Sequence, residues 1–167
     1  FAVVPTGPRI PRQVFLGGRL ERLDGLAGCS SWATPPEDAD PAFRGAAWGV
    51  NRPLKYRARV DPGSSHLVIL GLCEPYKTQP GLRTLVFRVE GSGDAIADPV
   101  RDGKTNIPYV YRFAACDIDN NGWLDIEVHA SMSSPDPNVI LNAIWMLAND
   151  TAIDDDAVIR GGLTAGA

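Results

Sequence analysis

The sequence has little of what most catalytic and nucleic-acid-binding proteins display. Only two histidines occur in 167 residues, His66 and His129, each alone in a strand-like run. No Gly-x-Ser-x-Gly elbow, His-x-x-x-His pair or closely paired carboxylates accompany them, so nucleophilic, zinc-hydrolase and glycosidase chemistry have no local signature. The three cysteines, Cys29, Cys73 and Cys116, are an odd number without metal-ligand spacing. A disulfide framework is therefore not indicated, while one bridge plus a leftover thiol stays open. The net charge of -4, from 20 acidic and 16 basic residues, leaves no electrostatic footprint for nucleic acid or an anionic membrane. No apolar run approaches the roughly 20 residues that cross a bilayer as a helix. Phe1 to Pro5 lack the basic start and long apolar centre of a signal peptide, so the chain reads as a mature product or an excised segment.

What is present points to many strands and many turns. With 44% apolar residues the chain can bury one core, and 17 glycines with 14 prolines punctuate it too often for a helical bundle. Period-two alternation marks residues 54–60, where Leu54, Tyr56 and Ala58 face one way and Lys55, Arg57 and Arg59 the other. Residues 66–74 form a mostly apolar run suited to a strand covered on both faces. Residues 82–90 place Leu85, Phe87 and Val89 on an inner side. Residues 109–116 and 123–130 also alternate, and Asn120-Asn121-Gly122 between them predicts a hairpin, because asparagine and glycine accept positive φ at low cost. Residues 139–147 are apolar except for Asn142 and follow Pro135 and Pro137, which favours a strand over a buried helix. The first fifty residues are cut by glycine and proline into loops with one or two short strands. The tail from Asn149, rich in Asp, Gly and Ala, reads as a linker.

Five segments in order resemble the malectin and malectin-like carbohydrate-binding family. They are Leu16-Gly17-Gly18-Arg19 with Leu23-Asp24-Gly25, then Leu70-Gly71-Leu72-Cys73-Glu74-Pro75-Tyr76, then Gly81-Leu82-Arg83-Thr84-Leu85-Val86-Phe87-Arg88-Val89-Glu90-Gly91, then Gly122-Trp123-Leu124-Asp125-Ile126, and finally Asn138-Val139-Ile140-Leu141-Asn142-Ala143-Ile144. Leu72-Cys73-Glu74 stands where the family has Phe-Ala-Glu, and Lys77 stands where an aromatic often follows its Glu-x-Tyr. The resemblance implies an antiparallel two-sheet jelly-roll β-sandwich over residues 16–148, with an N-terminal extension (1–15) and a C-terminal linker or tail (149–167). It also implies sugar binding, with Trp48, Tyr76 and Asp136 at positions similar to the family's ligand contacts, and Trp32 at a packing position.

Sugar recognition by such residues has a physical basis. Flat aromatic faces stack on the axial hydrogens of a pyranose, while carboxylates, amides and guanidinium groups satisfy its hydroxyls. Asp117, Asp119 and Asn121 open a calcium-loop pattern, Asp-x-Asp-x-Asn-Gly. Position twelve is Val128, which cannot supply the bidentate carboxylate, so polar residues capping a turn are expected, with Ca²⁺ on the Asp117, Asp119 and Asn121 oxygens as the alternative. Glu74, ending a buried strand beside Pro75, is expected to accept hydrogen bonds from loop amides. Asp125, Glu127 and His129 share one strand face, which reads as a solvated outer face. The expected function is that of a secreted, non-catalytic module that binds an oligo- or polysaccharide and targets a catalytic domain of the same full-length protein. The alternative is a structural or interaction sandwich that packs against a neighbouring domain.

Overall fold

The computed structural model describes residues 2–4, 12–15, 20–25 and 27–161, so the Gly17-Gly18 segment lies outside the described residues. In chain order these form β1 (Ala2–Val4), β2 (Arg12–Phe15), β3 (Leu20–Asp24), β4 (Gly28–Ser30), a 3-10 turn (Pro41–Arg44), β5 (Ala46–Gly49), β6 (Leu54–Arg59) and β7 (Ser65–Leu72). They continue as β8 (Leu85–Val89), β9 (Ala95–Ala97), β10 (Tyr109–Cys116), β11 (Trp123–Ala130), β12 (Val139–Leu141), β13 (Ala143–Ala148) and the helix α1 (Asp155–Ile159). One five-stranded sheet has the order β1-β2-β13-β7-β10 and the other β3-β6-β11-β8-β9, and a small sheet β12-β5-β4 closes one end. Among the described residues all pairings are antiparallel except β2 with β13. The chain is an all-β sandwich, as its alternation predicts.

Alternation decides which side chains fill the space between the sheets. Leu54, Tyr56 and Ala58 of β6, Leu85, Phe87 and Val89 of β8, and Leu124, Ile126 and Val128 of β11 meet Val68, Leu70 and Leu72 of β7, with Phe113, Ile144 and Met146, in one core. The strands β7 and β13 are apolar on both faces for a second reason. Their outward residues Ile69, Ala143, Trp145 and Leu147 join Ala33, Ala39, Ala42, Phe43 and Val158 in a separate cluster. That cluster is roofed by the segment 31–44 and by α1. The tail thus carries a helix: Asp154 caps its N-terminus by accepting from the Ala157 amide at 2.7 Å, and Val158 is fully buried. The Asp40 amide donates to the Ile159 carbonyl at 2.6 Å, which ties the roof to the helix.

The expected hairpin between β10 and β11 does not form. β10 pairs with β7 and β11 pairs with β6 and β8, so residues 117–122 cross from one sheet to the other. Alternation reports that each strand has one buried face. It does not report whether two such strands lie side by side or across the core from each other.

The 139–147 run is likewise one strand by pattern but two in space. β12 pairs with β5 in the small sheet, β13 pairs with β7 in the large one, and buried Asn142 stands at the break. Its Nδ2 donates to the carbonyls of Phe43 (3.1 Å) and Gly45 (2.8 Å), while its Oδ1 accepts from the Cys73 amide (2.8 Å). Cys73 and Cys116 are thiols, so no bridge links the three cysteines. Burial, with the neighbouring Glu74 carboxylate, pushes the Cys73 thiol up to about 12, which keeps it protonated and inert.

Candidate functional site

Strand direction sorts the loops. The connections β5–β6, β7–β8 and β11–β12 emerge at one end of the sandwich, and β6–β7, β8–β9 and β10–β11 at the other. Trp48, Tyr76 and Asp136 all belong to the first end.

Trp48 sits on the central strand of the small sheet, opposite Gly28 of β4 and Ile140 of β12, and is half-buried. A Cβ at position 28 would come within 2.7 Å of the indole, so only glycine lets that ring lie where it does. Half-buried Trp32 packs on it with ring centroids 5.7 Å apart and planes 31° apart. Tyr76, 62% exposed, also contacts Trp32, with ring centroids 5.6 Å apart. The three rings form a row from β5 to the β7–β8 loop, with spacings in the range of favourable aromatic pairs. Trp32, read from the sequence as a packing residue, is therefore the middle of the row. Its signal was weak, since nothing local says which strand a loop tryptophan will meet.

Beside the row lies a chain of charges. Glu74, fully buried, accepts through Oε1 from the amides of Tyr76 (2.9 Å) and Lys77 (3.3 Å), as expected. Its Oε2 accepts from Arg83 Nε at 2.5 Å. The same guanidinium donates through Nη1 to the Asn138 carbonyl (2.8 Å) and reaches Asp136 Oδ2 with Nη2 (3.2 Å). Lys77 Nζ contacts that Asp136 oxygen at 3.0 Å, and the Asn138 amide donates to Asp136 Oδ1 at 2.9 Å. Burial pulls the Asp136 carboxyl up, but the Asn138 amide and the Lys77 and Arg83 cations outweigh it and hold the group below its ordinary range. Asp136 is thus ionised and fixed, with one acceptor position on Oδ1 left for a hydroxyl. The sequence pointed to Asp136 and Glu74 but not to Arg83 and Lys77 as their partners.

At the opposite end, Asp117 holds the two crossings together. Its Oδ2 accepts from the amides of Gly63 (3.1 Å) and Gly122 (2.8 Å), and its Oδ1 accepts from Asn121 (3.2 Å). Asp119 Oδ1 also accepts the Asn121 amide at 3.0 Å, and Asn121 Oδ1 accepts from the Trp123 amide at 2.7 Å. Burial raises Asp117, yet these hydrogen bonds prevail and lower it. Glu90, Asp117 and Asp119 bring carboxylate oxygens within 4.8 Å of one another. Glu90 is itself committed to the amides of Ile118 and Asp125, both at 3.0 Å. Backbone amides of Gly63, Asn121, Gly122 and Trp123 are thus bound by the Asp-x-Asp-x-Asn-Gly side chains.

Gly122 has φ +80° with room for a Cβ, the nearest atom being 3.5 Å away. Gly122→Val is expected to cost about 1 kcal/mol or more through backbone strain alone, readable by denaturant melts. Excess chelator should leave the melting temperature unchanged, whereas a drop reversed by calcium would assign these oxygens to a cation.

Asp125, Glu127 and His129 line the outward face of β11. His129 Nδ1 lies 3.3 Å from Glu127 Oε1, and Glu127 also pairs with Lys55 at 3.5 Å. Partial burial, then the Asp119 and Asp117 charges, raise Asp125. Lys55–Glu127 is a cross-strand ion pair between β6 and β11, while Glu127 and His129 are neighbours along β11 itself.

No protein-family model and no curated protein matches the chain. Solved structures do. Plant receptor-like kinase ANX2 aligns with TM-score 0.61 and 16% identity over 79% of this chain and 40% of that one. A chain in the structure of plant peptide RALF23 in complex with FER and LLG2 aligns with TM-score 0.61 and 17% identity, over 74% of this chain and 39% of that one. The ANXUR2 extracellular domain from Arabidopsis thaliana aligns with TM-score 0.57 and 17% identity, over 66% and 33%. The fold is that of a malectin-like domain. The chain spans between about a third and two-fifths of the length of these structures.

Proposed function

We propose that the Trp48–Trp32–Tyr76 end of the sandwich binds a carbohydrate, as a non-catalytic, extracytoplasmic module of a larger protein. The observation that carries this reading is the aromatic row itself: Trp32 in contact with both Trp48 and the exposed Tyr76, beside an ionised and fixed carboxylate. Rings of this kind supply the stacking surface, and Asp136 with Lys77 supplies hydroxyl partners. The full-length protein would use the module to hold a catalytic domain on an oligo- or polysaccharide.

A second reading has its own support. Val50 (52% exposed) and Met132 (108%) lie in loops at the same end as Tyr76, and one structural neighbour is described in complex with a peptide. A protein or peptide partner would use these aliphatic groups, which a sugar would not need. Titration of Tyr76→Ala, Trp48→Ala and Asp136→Ala with a bound oligosaccharide should show affinity losses of about 1–3 kcal/mol each. Tyr76→Ala should leave the melting temperature nearly unchanged, whereas Asp136→Ala should lower it, because it takes a counter-ion from buried Arg83. If Val50→Ser and Met132→Ser abolish binding of a partner protein while no glycan on an array is retained, the second reading takes its place.

A further inference from the structure

The two halves of this site come from loops far apart in sequence. Tyr76 and Lys77 are held by Glu74, and Asp136 lies in the β11–β12 loop. Lys77 reaches across to Asp136 Oδ2 at 3.0 Å, and a second, buried side chain binds both Glu74 and Asp136. Arg83, 6% exposed, spends Nε on Glu74, Nη1 on the Asn138 carbonyl and Nη2 on Asp136. The guanidinium is planar and always charged, so its three directions fix the Glu74 carboxylate and the Asp136 loop in one geometry.

We propose that Arg83 is the positioning residue of this site: it touches no ligand, but it sets the Tyr76 loop and the Asp136 carboxylate relative to each other. The inference rests on the site proposed above and adds the coupling between its halves. A lysine at 83 can replace the contact to Glu74 as a point charge but cannot also span to Asn138 and Asp136. A methionine replaces neither and leaves the Glu74 carboxylate buried without its cation.

The test compares wild type, Arg83→Lys and Arg83→Met by amide hydrogen exchange and by NMR titration of the Asp136 carboxyl. In Arg83→Lys the Asn138 amide should exchange about tenfold faster or more, while the amides of Tyr76 and Lys77 stay protected. In Arg83→Met all three should lose protection, with β7 and β13 amides unchanged. The Asp136 midpoint, depressed in wild type, should rise in Arg83→Lys, because a cation has left its oxygen. That midpoint reports the lost ion pair itself, so the positioning role is read from the selective loss of Asn138 protection that accompanies it. Should Arg83→Met fail to fold, the lysine variant alone decides. Unchanged Asn138 exchange and an unchanged Asp136 midpoint in Arg83→Lys would overturn the inference. Neutral gluco-, xylo- and manno-oligosaccharides are titrated alongside. Failure of all of them to bind wild type would remove the sugar reading, while the exchange data would still report the coupling.

Discussion

Asn142→Leu is expected to destabilise the protein by about 3 kcal/mol or more, although leucine matches asparagine in size. The change strands the buried Cys73 amide and Phe43 carbonyl and the partly buried Gly45 carbonyl at once. Each unsatisfied group costs about 1–3 kcal/mol, and leucine adds no compensating burial because the site is already closed. The consequence reaches the site, since Gly45 leads directly into β5 and Trp48. Equilibrium denaturation with tryptophan fluorescence measures both the stability and the environment of that strand. A loss under 1 kcal/mol would mean that these groups find other partners and that the strand break does not depend on the amide.

Trp145→Ala should cost about 3–5 kcal/mol, the range for truncating a fully buried aromatic. Trp145 is 0% exposed and lies 5.7 Å from the Phe43 ring, beneath the roof formed by the 31–44 segment and α1. That roof also carries Ala33, the neighbour of Trp32. The variant should therefore loosen the middle ring of the aromatic row as well as the core. A melting temperature within a degree or two of wild type would show that the roof holds without this ring.

How much of this was legible in the sequence follows from the range over which each signal acts. The strands β6, β8, β10 and β11 were readable because period-two alternation is local and their five to eight residues display it, and β7 because its run is almost wholly apolar. The runs that are apolar on both faces announced a second covered surface, but not the segment that covers it. The first fifty residues were expected to hold one or two short strands, whereas β1 to β5 all fall there. These strands, broken by glycines and prolines, show no sustained period, and only their partners stabilise them. The 117–122 crossing was misread for the same reason, because sheet membership is a long-range property.

At the site, Trp48, Tyr76 and Asp136 came from a family resemblance, and their loops share one end of the fold. Trp32 was named for packing and stands in the row. Arg83 and Lys77 were missed as partners of Asp136 because their pairing spans more than fifty residues. Asn142 was visible only as the one polar residue in an apolar run. In physical terms that was the useful clue, since a buried amide must have partners.

The account's central claim is that the exposed ring of Tyr76, at the open end of the aromatic row, is a sugar-stacking surface rather than a packing residue. Calorimetric titration of neutral gluco-, xylo- and manno-oligosaccharides into wild type and Tyr76→Ala, each with its melting temperature, tests that claim most directly. The account predicts saturable binding by wild type, affinity weakened by about 1–3 kcal/mol in Tyr76→Ala, and melting temperatures that coincide. Equal affinity in the two proteins, or no binding to wild type by any of the sugars, would contradict it.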